Sequence, residues 1–148
     1  MITLAPPTRN KPYRILFEHR PRYLYVRIQC DTSNYAIAKK YWTEILAIQN
    51  RRGYDRVLIE KDVTNSMPMS DVILLVSELA HSGCHDVKFA VYDRNYDAER
   101  CGFEEMASTS RGLKLRICGS MAEAENWLTT EMFTVAVTAT GSANRAAA

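Results

Sequence analysis

Arg56-Val57-Leu58-Ile59-Glu60, then Lys61-Asp62-Val63-Thr64-Asn65-Ser66-Met67-Pro68-Met69, then Ser70, decides how this chain folds. Val57-Leu58-Ile59 is a short, unbroken run of β-branched and aliphatic side chains. That pattern suits a strand buried on both faces of a parallel sheet. Lys61 to Met69 reads as a loop, since Pro68 disfavours helix at the residue before it. Ser70 reads as the N-cap of a helix ending near His81, whose core stripe is Val72, Leu75, Val76 and Leu79 at i, i+3, i+4 and i+7. A loop at the carboxyl end of a parallel strand, emptying onto a helix N-terminus, is where α/β proteins place binding sites.

On the N-terminal side, Tyr13, Ile15 and Phe17 alternate with Arg14 and Glu18, and Leu24, Val26 and Ile28 alternate with Tyr23, Tyr25 and Arg27. With the turn His19-Arg20-Pro21-Arg22 between them they predict an antiparallel hairpin with one wet face. Asp31-Thr32-Ser33-Asn34 supplies caps for a helix to about Asn50, with Ile37, Tyr41, Ile45 and Ile48 inward and Ala38 and Trp42 widening the stripe. Gly53, after Arg51 and Arg52, ends it as a left-handed residue.

On the C-terminal side, Val87 to Tyr92 is a strand, and Asp97 to about Ser108 a helix with Phe103, Met106 and Ala107 buried. Leu113 to Cys118 alternates as an edge strand. Ser120-Met121-Ala122-Glu123 is a capping box opening a helix that buries Met121, Ala124, Trp127 and Leu128. The order β-β-α-β-α-β-α-β-α predicts an α/β domain: an N-terminal hairpin, then crossover units in a mostly parallel mixed sheet with packed helices. Residues 1–12 read as a loosely held arm, 13–130 as the domain, and 131–148 as an extension or tail, in which Phe133 to Thr138 has strand character.

A chain of 148 residues is long enough for one self-sufficient core, and 47% hydrophobic with 24% charged residues is an ordinary globular balance. The net charge of +2 gives no reason to expect nucleic acid. The excess of Arg and Lys over Glu18 in the first thirty residues reads as a solvated hairpin face. Nothing approaches the roughly 18 apolar residues of a membrane span, and Met1 to Pro7 lacks the features of a secretory leader, so the expected compartment is the cytoplasm. Cys30, Cys84, Cys101 and Cys118 form no C-x-x-C pair and read as free, small hydrophobes.

Four stretches carry a family likeness: the Trp42 helix, Gly53-Tyr54-Asp55-Arg56-Val57-Leu58-Ile59-Glu60, Phe89-Ala90-Val91-Tyr92-Asp93, and Arg111-Gly112 followed by Ala124-Glu125-Asn126-Trp127-Leu128. In this order and spacing they resemble the STAS-like, SpoIIAA-like domains, the fold class of bacterial anti-anti-sigma factors, and among these a group of small, largely uncharacterised bacterial proteins. The likeness spans most of Tyr13 to Thr130. It implies a module that binds rather than turns over. It also implies a phosphorylatable serine at the start of the second helix, near Ser70. The surrounding Met67-Pro68-Met69-Ser70-Asp71 departs from the Asp-Ser-Ser-Gly-like run of those regulators.

The residues themselves leave two readings. In the first, a protein partner docks on the loop and helix 62–74 through Thr64, Ser66, Met67, Met69, Ser70 and Leu74, the last lying opposite the core stripe of its helix. In the second, a small or lipid-like ligand sits between loop 62–69 and Asp93-Arg94. A homo-oligomer is compatible with either. His81, Cys84 and His85 have the look of a metal site but lack a second pair, so no metal or other cofactor is assigned. Cys84 and Cys101 have no evident activating base, and adjacent Glu104 and Glu105 point different ways on a helix, so no enzyme is expected.

Overall fold

The computed structural model describes residues 2–4 and 11–130. Its elements are β1 (Ile2–Leu4), β2 (Arg14–His19), β3 (Leu24–Thr32), α1 (Tyr35–Arg52), β4 (Arg56–Asn65), α2 (Met69–His81), β5 (Lys88–Asp93), α3 (Ala98–Thr109) and β6 (Lys114–Cys118). A fourth helix, α4, covers residues 121–130. The strands form one six-stranded sheet in the order β1-β2-β3-β4-β5-β6. β1 and β2, like β2 and β3, pair antiparallel; the three remaining ladders are parallel. The fold is thus an α/β mixed sheet entered by a hairpin. Ile2–Leu4, expected in a loose arm, adds an edge strand to β2. The segment from Phe133 onward lies outside the described residues.

β4 is the centre of this sheet, and Val57, Leu58 and Ile59 are all nearly sealed from solvent. The parity of the strand sorts its neighbours. Val57 and Ile59 face a core shared with Ala38, Tyr41 and Ile45 of α1 and Leu75 of α2. Leu58 faces the other way, into a smaller core with Tyr23, Tyr25, Ala90, Cys118 and Leu128. Parallel neighbours joined in sequence by right-handed crossovers place α1, α2 and α3 on one face. α4 returns over the other. Tyr23 and Tyr25, expected on a wet face, are therefore buried.

Local chemistry sets the helix ends. Asn34 caps α1 by accepting the Ile37 N–H, and Gly53 ends it at φ 71°. Asp97 caps α3 through the Arg100 N–H. At α4 the forward half of the capping box forms, the Glu123 N–H donating to Ser120 Oγ at 3.2 Å. α3 presents a different face from the expected one. Cys101, Glu104, Ala107 and Ser108 are buried, whereas Met106 is 59% exposed and Phe103 only partly covered. A carboxylate goes inward because cations already wait there, as described below. Glu105 points elsewhere and accepts the Ile117 N–H at 2.9 Å. That bond occupies one of the unpaired donors of edge strand β6.

Candidate functional site

The loop expected over Lys61 to Met69 is mostly strand. β4 continues to Asn65 because β3 runs on to Thr32 and offers it a ladder, with Val63 opposite Cys30 and Asn65 opposite Thr32. Only residues 66–68 connect β4 to α2. The alternation therefore persists through the segment: Val63 is buried, Thr64 exposed.

Ser70 is not the cap of α2. Pro68 occupies the N-cap position, without a side-chain hydrogen bond, and the helix begins at Met69. Pro68 has a backbone suited to that place and its carbonyl accepts the N–H groups of Asp71 and Val72. Ser70 falls in the first turn and is exposed. The neighbouring carboxylate, Asp71 Oδ2, is turned toward α1 and accepts the Tyr35 N–H at 2.9 Å. Around Ser70, Thr64, Asn65 and Pro68 are exposed, and Met69 and Leu74 show 48% and 54% of their surfaces. Met67 turns inward and joins the main core. Ser66 is half-buried. Of the expected docking residues, Thr64, Met69, Ser70 and Leu74 are exposed, and Met67 is not.

Asp93 and Arg94 are separated by the sheet. Asp93 is the register partner of Lys61 on the helix-covered side. It is buried, and Arg100 Nη1 donates to its Oδ2 at 3.2 Å. Arg94 is on the opposite side, 3.7 Å from Glu60 and 3.8 Å from Asp62. Arg94 is the turn residue that follows β5, and its guanidinium is turned to Glu60 and Asp62 while Asp93 is turned to Arg100.

What the sequence reading missed lies deeper. Between the sheet and α1–α3 is a cavity of about 50 Å³ with mainly aliphatic and aromatic walls, among them Trp42, Ile59, Leu75 and Ile117. Lys61, Glu104, Tyr41 and Ser108 supply its polar groups. Lys61 Nζ is 3.7 Å from Glu104 Oε2, and the two side chains are only 12% and 10% exposed. Glu104 Oε1 in turn lies 3.3 Å from Arg100 Nη1. Burial works to lower the Lys61 pKa, but Glu104, Tyr41 and Asp93 reverse this and hold it above its ordinary value, so the ammonium is kept. A signal was present in the chain: Lys61 occupies the inward parity of Val57, Ile59 and Val63, where a charge needs a reason.

The H-x-x-C-H residues do not converge. His81 Nδ1 is bonded to the Ser77 carbonyl oxygen, and Cys84 Sγ donates to that of Leu79. Among the described residues no group of three or more potential ligands could hold a metal ion. All four cysteines are buried and unpaired. Burial pushes the thiols of Cys30, Cys101 and Cys118 upward. No helix among the described residues is long and apolar enough to cross a membrane. Comparison with protein-family models and with curated proteins finds no match.

Proposed function

We propose that this chain is a non-enzymatic, STAS-like interaction module of the cytoplasm that docks a protein partner on the rim formed by Thr64, Met69, Ser70 and Leu74. The observation that carries this reading is the exposure of Met69 and Leu74 beside an exposed Ser70 in the first turn of α2. Exposed Leu or Met side chains are ordinary singly, but Met69 next to Ser70 and Leu74 one turn further along α2 supply the apolar contact of the docking surface proposed. The N-terminal N–H groups of α2 lack a side-chain cap. A hydroxyl in that first turn is where added phosphate would gain from the helix dipole while changing the charge of the rim. The resemblance places the regulatory serine of anti-anti-sigma factors at the same point, and regulation through Ser70 is part of this reading.

The test compares wild-type protein with Met69→Glu and Leu74→Glu. Both side chains are exposed, so the variants should fold. A specific partner should bind purified wild-type protein directly and lose at least tenfold in affinity to both variants. A partner that binds all three proteins equally would remove the rim from the function. Sedimentation of the same proteins shows whether the partner is a second copy of the chain.

A further inference from the structure

At the amino ends of the parallel strands three cations stand in register. Arg56 of β4 is the partner of Lys88 on β5, and Lys88 that of Lys114 on β6. Side chains alternate along a strand, so the three share the face of Leu58, Ala90 and Cys118, the face that α4 covers. Neighbouring strands lie about 4.8 Å apart, so the row spans about 10 Å. Like charges directly opposite each other on a ladder repel and weaken the sheet. The helices α1, α2 and α3 lead into the starts of β4, β5 and β6, and their negative ends favour cations such as Arg51 and Arg52. That effect falls off within a turn of the helix end. These helices pack on the other face of the sheet, so they do not account for the row.

Arg56 sets the row apart from a solvated surface. It is only 8% exposed, and among the described residues its side chain has no hydrogen-bond or ion-pair partner. Its nitrogens are nonetheless not sealed. The stem is buried, and the edge of the guanidinium reaches solvent. A guanidinium offers five donors in a planar fork. With so little water around it, that fork gains from an anion that fits it bidentately. Lys88 is half-buried and Lys114 exposed. Positive charge is thus laid out from an open sheet edge inward to Arg56. Glu125, a carboxylate of α4 on the same face, is held by the hydroxyl of Tyr23.

Shape selects the occupant. An acidic peptide added to the edge of β6 would run along the strands and meet only Lys114. A nucleic-acid duplex carries its phosphates on a convex rod, and little of Arg56 is open to so broad a surface. A single phosphate cannot span a row of about 10 Å. We infer that the row binds a short linear oligophosphate, a di- or triphosphate chain whose terminal group sits on the guanidinium of Arg56 and whose remaining phosphoryl groups lie along Lys88 and Lys114. The site is roughly 25 Å from Thr64 along β4, at the opposite end of the sheet from the docking surface proposed above.

Calorimetry of the full chain with sodium tripolyphosphate, in magnesium-free buffer at physiological ionic strength, tests this. Saturable binding is expected, with diphosphate at least threefold weaker and phosphate at least tenfold weaker. Arg56→Met keeps a buried stem and should lower tripolyphosphate affinity at least tenfold, with a thermal midpoint no lower than that of wild type because no partner is lost. Arg52→Met removes an exposed cation at the same end of the molecule and should change the affinity less than twofold. Equal losses in Arg52→Met and Arg56→Met would reveal a diffuse positive field and overturn the row. Absence of saturable binding, or equal affinity for phosphate and tripolyphosphate, overturns it too. Tighter binding of single-stranded DNA or of an oligoaspartate overturns the oligophosphate class. Adenosine triphosphate at parity with tripolyphosphate identifies the phosphate chain alone as the ligand. Tighter binding of the nucleotide, lost in Arg56→Met, identifies a nucleotide as the source of that chain. Should Arg56→Met not fold, Lys114→Glu, at an exposed position, decides alone by a tenfold loss or its absence.

Discussion

Lys61 and Asp93 are register partners on adjacent parallel strands, and both turn toward the helices rather than toward solvent. Their charges are settled by α3, which brings Arg100 to Asp93 and Glu104 to Lys61. Removing one member of such a pair strands the other. Glu104→Ala should therefore lower stability by about 3 kcal/mol, the scale found when a buried pair is broken from one side. The double variant Lys61→Met, Glu104→Leu should recover most of that loss. Urea unfolding of the three proteins measures both. A single-variant loss below about 1 kcal/mol, the scale of an exposed pair, would show the pair to be solvated.

Alkaline pH should unfold the protein through its tyrosines. Tyr25 donates to Glu60 Oε1 at 2.6 Å. Burial and that carboxylate both raise the Tyr25 pKa. Tyr13, which donates to Glu44, is raised in the same way. Above about pH 10 an unfolded tyrosine loses its proton while these two keep theirs. The folded state then binds more protons, so stability falls with rising pH. The contribution is whole below pH 10 and is lost as the pH climbs toward the folded values. Lys61 adds to the same trend. Denaturant midpoints from pH 8 upward should be flat and then decline, and Tyr25→Phe should decline less steeply. An equal decline in that variant would assign the effect to other groups.

The central strand was legible because three consecutive aliphatic residues have few other uses, and Val57 to Ile59 lie mid-sheet. α1 and α2 were legible from their stripes. The extent of β4 was not. Lys61, Asp62, Thr64 and Asn65 look like loop residues until β3 is known to continue beside them. The face of α3 was misread for a related reason. Periodicity treats a glutamate as a surface residue, whereas Glu104 is buried by a lysine from a distant strand. Ser70 looked like a cap because serine is a good one. Pro68 took the position instead. Tertiary partners decided each of these, and no local pattern encodes them.

Two glycines should respond in opposite directions. Gly53 has φ 71°, and an added Cβ would touch nothing within 4 Å. Only backbone strain opposes Gly53→Ala, which should cost about 1 kcal/mol. Gly102 lies inside α3 with no positive φ and the same open space for a Cβ. Gly102→Ala should stabilise by about 0.5–1 kcal/mol through helix propensity and the lower entropy of the unfolded chain. Thermal unfolding distinguishes them. Stabilisation by Gly53→Ala would mean that the left-handed turn is absent.

The cysteines allow a test for thiol chemistry. All four are buried, and burial holds Cys30, Cys101 and Cys118 in the unreactive thiol form at neutral pH. A chromogenic disulfide reagent at pH 7 should label folded protein no faster than it opens, and unfolded protein at four sites. One rapidly labelled thiol in the folded protein would restore a nucleophilic enzyme as a reading.

Ser70→Glu separates a switch from a structural serine, because stability and binding should move in opposite directions. A serine that capped α2 would be confounded, since carboxylates also cap helices. Here the cap position belongs to Pro68, and the new charge enters the first turn, where Asp71 is already engaged with Tyr35. Interaction with the helix dipole should raise stability by a few tenths of a kcal/mol. The same charge, next to Met69 and on the helix surface that carries Leu74, should weaken the docked partner tenfold or more. Ser70→Ala should leave both nearly unchanged. Unaltered partner affinity in Ser70→Glu, with the expected gain in stability, would show that the first turn of α2 lies outside the contact.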